Sequence, residues 1–81
     1  MTKERLIELI DEGHELEFRY KGKAYSITYG EFEGKECISF CEFYKETTEV
    51  ETAEELCSVV RDGVRVVDMI ESIPEDDIDV Y

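Results

Sequence analysis

Three cysteines and a single histidine are the side chains of this sequence best suited to nucleophilic or metal chemistry: Cys37, Cys41, Cys57 and His14. A thiol nucleophile needs a base beside it, and a tetrahedral zinc site needs four ligands. Here either site would have to be assembled across the fold, and the zinc set would consume every cysteine and the only histidine. His14 follows Gly13, a helix-ending position where an exposed loop histidine is expected. Cys37 and Cys41, four apart in one strand, would hold their Cα atoms about 13 Å apart. A disulfide needs less than about 7 Å. The odd cysteine count and the lack of a CxxC pair point to free, buried thiols in an intracellular protein.

Other catalytic signatures are missing from the sequence. The glycines at 13, 22, 30, 34 and 63 never form GxGxxG or GxxxxGK[ST], and no GxSxG occurs. Asp76-Asp77-Ile78-Asp79 has the carboxylate density of a calcium loop. It lacks the glycine at loop position 6 and the closing glutamate at position 12. Tyr20, Tyr25 and Tyr29 sit among acids and fit core or rim packing better than base stacking. The expectation is a protein with no catalytic residue, no metal and no cofactor, and not an enzyme.

Carboxylates are what the sequence does supply. Its 81 residues carry 22 Asp or Glu against nine Lys or Arg, a net charge of −13. Solubility asks for a magnitude of roughly 2–8 in a small domain. Such acidity repels phosphates and argues against nucleic-acid binding and against docking on an anionic membrane. No apolar run is long enough to span a bilayer, and the opening Met1-Thr2-Lys3-Glu4-Arg5 does not lead into a signal-peptide stretch. The charge is uneven: residues 1–45 hold ten acids and seven bases, residues 46–81 twelve acids and two bases. Glu54 and Glu55 gain from a helix dipole. Asp68 and Glu71 gain less, and Glu75, Asp76, Asp77 and Asp79 have no local structural use. With Glu49 and Glu51 these acids, Glu75 apart, form the candidate partner-binding set, facing a basic protein surface.

The elements that must carry these groups follow from periodicity. Leu6, Ile7, Leu9 and Ile10 make a helical stripe capped by Thr2 and ended by Gly13. Residues 15–20 alternate apolar and charged, and Lys21-Gly22 is a turn. Lys23–Tyr29 reads as a second strand, 30–35 as a reversal, and Cys37–Phe43 as a third strand, apolar on both faces. That third strand belongs at the sheet centre or under a helix on each side. Residues 44–51 read as a loop. Thr52…Glu55 is a capping box opening a helix that buries Ala53, Leu56, Cys57 and Val60. Asp62-Gly63 interrupts it, and Val66, Val67, Ile70 and Ile73 resume helical spacing, with a short strand over Val64–Val67 as the alternative. Pro74 stops the element. The tail 75–81 docks through Ile78, Val80 and Tyr81 or frays. The sum is one α+β domain over 1–81. A helix and a three-stranded antiparallel 1-2-3 meander occupy 1–43, two C-terminal helical segments packed on the sheet occupy 52–73, and an acidic tail 74–81.

In element order and acidity the whole chain resembles the small acidic anti-CRISPR proteins of phages and prophages, which inhibit a Cas effector by mimicking DNA where it reads the PAM. The phrase Glu17-Phe18-Arg19-Tyr20-Lys21-Gly22-Lys23-Ala24-Tyr25-Ser26-Ile27 also looks like hairpins in small proteins of Gram-positive bacteria and their phages. The resemblance implies a cytoplasmic inhibitor in a bacterial host cell that binds the basic DNA site of a Cas effector. It implies no direct contact with nucleic acid or membrane. The alternative from the residues alone is an intracellular interaction or adaptor domain. Its apolar face would be Phe32, Phe43, Tyr44 and Val50, with a homodimer as one form.

Overall fold

The apolar period changes from 3.6 to 2 near position 15, and there the chain passes from helix to sheet. The structure, a computed structural model, describes residues 1–43, 45 and 47–81. In chain order its elements are α1 (Lys3–Asp11), β1 (Leu16–Tyr20), β2 (Lys23–Phe32), β3 (Lys35–Glu42), β4 (Thr47–Val50), α2 (Ala53–Ser58), β5 (Val60–Arg61), β6 (Val64–Arg65), α3 (Val66–Glu71), a 3-10 turn (Glu75–Asp77) and β7 (Asp79–Val80).

Helix α1 starts where the Thr2 hydroxyl accepts the Arg5 N–H at 3.1 Å and buries Leu6, Leu9 and Ile10. It closes with the Gly13 N–H donating to the Ile10 carbonyl and the His14 N–H to that of Leu9, both at 3.0 Å. This closure needs a left-handed residue at Gly13, whose φ is +86°; glycine takes that conformation without a Cβ clash.

Strands β1, β2 and β3 form the expected antiparallel meander. The turns Lys21-Gly22 and Glu33-Gly34 have positive φ at both residues, the twist that matches paired strands. Strand β2 runs on through Gly30 to Phe32, because Gly30 pairs with Cys37 and Phe32 with Lys35. Leu16, Phe18, Tyr25, Ile27, Ile38 and Phe40 share the covered face and are buried. Phe18, Tyr25 and Phe40 stack there with centroids 5.4–6.4 Å apart. From above, Leu56, Val66, Met69 and Ile70 of α2 and α3 complete one core with α1.

Among the described residues the sheet has five strands in the order β4-β3-β2-β1-β7, not three. Two segments account for the difference. Within 44–51, read as a loop, Thr47, Thr48 and Val50 are β-branched and pair with β3 as an edge strand. Tyr44 and Glu46 lie outside the described residues. At the other edge the tail does not fray. Ile78 is buried, Asp79 opposes Glu17, and the Tyr81 N–H donates to the Glu15 carbonyl at 2.8 Å.

Two further corrections concern 60–65 and the sheet's second face. Asp62-Gly63 does not interrupt a helix. It is the tight turn of the β5–β6 hairpin, with both residues at positive φ, and Val60 there is 58% exposed rather than buried. Strand β3 is interior, flanked by β4 and β2, but the helical core covers one face only. The opposite face presents the rows Glu17, Ser26, Cys41, Thr47 and Thr28, Ser39, Glu49.

Candidate partner-binding surface

The residues suited to catalysis are dispersed. His14 Nδ1 lies 2.8 Å from the Tyr81 carbonyl and Nε2 lies 3.5 Å from Glu12. The Cys37 thiol donates to Glu49 at 3.7 Å. The Cys41 thiol donates to the Glu42 carbonyl at 3.1 Å. Cys57 is buried on the inner face of α2, and that burial raises its thiol pKa, with Lys3 opposing the rise. Among the described residues, no three His, Cys, Asp or Glu side chains are placed to hold a metal ion. No helix among the described residues is long and apolar enough to cross a membrane.

The nine candidate acids are all exposed: Glu49, Glu51, Glu54, Glu55, Asp68, Glu71, Asp76, Asp77 and Asp79. They do not converge on one patch. Glu49 stands on β4 and Asp79 on β7, the two opposite edges of the sheet, about 19 Å apart at four strand spacings. Glu54 and Glu55 sit in the first turn of α2, and Asp68 and Glu71 on α3. Two are locally answered: Glu54 meets Lys3 at 3.2 Å and Asp68 meets Arg65 at 3.0 Å. Glu55 completes the cap, with its N–H donating to the Thr52 hydroxyl at 3.1 Å. Among the described residues, Glu51, Glu71, Asp76, Asp77 and Asp79 have no ion-pair partner. No charged side chain among them is buried, so this acidity does no work in the core and acts on the solvent side.

The folded chain also gathers bases that are scattered in sequence. Lys21 and Lys23 from the β1–β2 turn and Arg61 and Asp62 from β5–β6 line one small cleft of about 110 Å³. Lys23 binds Asp62 at 2.5 Å. That bond raises the lysine pKa and lowers the Asp62 carboxyl, which Arg61 and Lys45 lower further. Arg61 also lies over the Phe40 ring at 5.4 Å and donates to the Thr48 hydroxyl at 2.6 Å. With Lys45, whose charge also reaches Asp62, four of the nine bases gather here. None of the nine candidate acids lines this cleft. Counting charge by segment could not find this pole, because it assembles from three separate connections. The one local hint was Lys21 and Lys23 flanking a turn glycine.

The apolar face expected from Phe32, Phe43, Tyr44 and Val50 is not continuous. Phe32, 61% exposed, and Phe43, 40% exposed, flank the two ends of β3, about 26 Å apart at strand rise. Val50 packs against the core, and Tyr44 lies outside the described residues.

No family model matches the chain, and no curated protein or solved structure matches it.

Proposed function

We propose that this chain is an acidic protein-binding inhibitor that occupies, in place of nucleic acid, the basic site of a nucleic-acid-binding protein, with a Cas effector as the favoured target. The observation that supports the reading is the uneven field: four of the nine bases gather around Asp62, while all nine candidate acids lie exposed outside that cluster and no carboxylate of the described residues is buried. Folding gains nothing from that excess, since like charges oppose compaction. A Lys/Arg-lined groove that tracks phosphates would gain from it in both encounter rate and register. The basic end then sets an orientation, because it is repelled by the same groove.

The test is co-purification with a panel of Cas effectors at low and high salt. The reading expects a complex at low salt that weakens steeply as salt rises. Reversal of three unpaired acids, Glu51→Lys, Glu71→Lys and Asp76→Lys, should abolish it. No complex with any effector, or one indifferent to the three reversals, contradicts the reading.

A further inference from the structure

Strand β7 covers only part of its neighbour. It pairs Asp79 with Glu17 and Val80 with Leu16, and Tyr81 reaches the Glu15 carbonyl. On this side of β1 the alternate residues Glu15, Glu17 and Arg19 therefore turn their N–H and C=O groups outward. In register, Arg19 would face residue 77, but there the chain has already left the strand for the 3-10 turn. Among the described residues no strand lies opposite Arg19. In its place is an open groove of about 630 Å³, bounded by Arg19, Phe43, Ile73, Pro74, Asp77 and Asp79. Its apolar lining includes Phe43, Ile73 and Pro74, and its carboxylates, with Glu17, outnumber the one guanidinium.

We propose that this groove receives an extended, lysine- or arginine-bearing segment of a partner protein, which pairs with the Arg19 backbone as a continuation of the sheet past β7. An unpaired edge amide and carbonyl supply the template for strand addition. The carboxylates of Glu17 and Asp79, which share the open face of the sheet with Phe43, select with Asp77 a cationic side chain, and Ile73 and Pro74 take an apolar one on the opposite alternation. The inference rests on the reading of a basic partner and adds where one part of that partner docks.

The probe is a short synthetic peptide alternating arginine and valine, titrated into the 15N-labelled chain at low salt, with a glutamate–valine peptide as control. Backbone shifts should concentrate at Arg19, Phe43 and residues 73–79. The Arg19 amide should become protected from hydrogen exchange, which nonspecific charge attraction would not cause. Asp77→Asn with Asp79→Asn, checked for an intact amide spectrum, should weaken the peptide about tenfold, on the scale of one or two partly screened charge contacts. Shifts spread over α2 and α3, an unprotected Arg19 amide, or undiminished binding by the double variant would overturn it. If effector binding still responds to Glu51→Lys, Glu71→Lys and Asp76→Lys while the groove stays silent, the groove alone is overturned.

Discussion

At the residue scale, burial decides what the thiols and the aromatic core do. Cys37 and Cys57 are buried and Cys41 is half-exposed, and burial raises the Cys57 pKa. Since the thiolate is the reactive form, iodoacetamide near neutral pH should label Cys41 first and Cys57 last. Fast labelling of Cys57 would mean that α2 opens. Phe40 is fully buried and stacks on Phe18 and Tyr25, so Phe40→Ala should cost about 3–5 kcal/mol in urea unfolding. A near-neutral result would invert the assignment of the sheet faces. The hydrogen bond from Lys23 holds the Asp62 carboxyl below its ordinary 3.8. Its lowered folded pKa means that the pair's contribution is present above about pH 4 and is lost as pH falls through the folded value. An NMR titration of the Asp62 carboxyl should give a midpoint below 3.8, moving up in Lys23→Gln. An unmoved midpoint would mean that the pair does not form in solution.

At the element scale, the last strand is the sharpest case. Ile78 is the one buried side chain between Pro74 and the end of the chain, and it fixes β7 against β1. Ile78→Ala should cost about 2–5 kcal/mol and speed amide exchange at Tyr81, whose N–H is bonded to Glu15. Unchanged exchange there would show that β7 holds through its backbone alone. The strands with clean alternation, β1 to β3, were legible in sequence, as were α1 and α2 through their caps and stripes and α3 through its stripe. The two-residue β5, β6 and β7 and the four-residue β4 were not. Elements so short carry too few side chains for a period to register, and their pairing is dictated by neighbours far along the chain. The β5–β6 hairpin did leave a signal, since Asp-Gly is a strong two-residue turn, but the helical spacing on either side masked it. The candidate acids were legible as residues. Their separation onto opposite sheet edges was not, because it depends on the places of β4 and β7.

At the scale of the whole molecule, the structure redistributes the charge that the sequence divided at position 45. Lys21, Lys23, Lys45 and Arg61 meet around Asp62, and the remaining surface is more acidic than the net charge implies. Self-repulsion of this kind is screened by salt. The thermal midpoint should therefore rise between low and moderate sodium chloride. A fall would mean that the surface ion pairs, such as Arg65–Asp68 and Lys3–Glu54, outweigh the repulsion. Mimicry of nucleic acid is measured most directly by displacement: a Cas effector loaded with fluorescent duplex DNA is titrated with this chain, and anisotropy is followed at low salt. The DNA should be released by the native chain and retained with the Glu51→Lys, Glu71→Lys, Asp76→Lys variant. DNA that stays bound at saturating native chain across the effector panel, or is released equally by the variant, would contradict it.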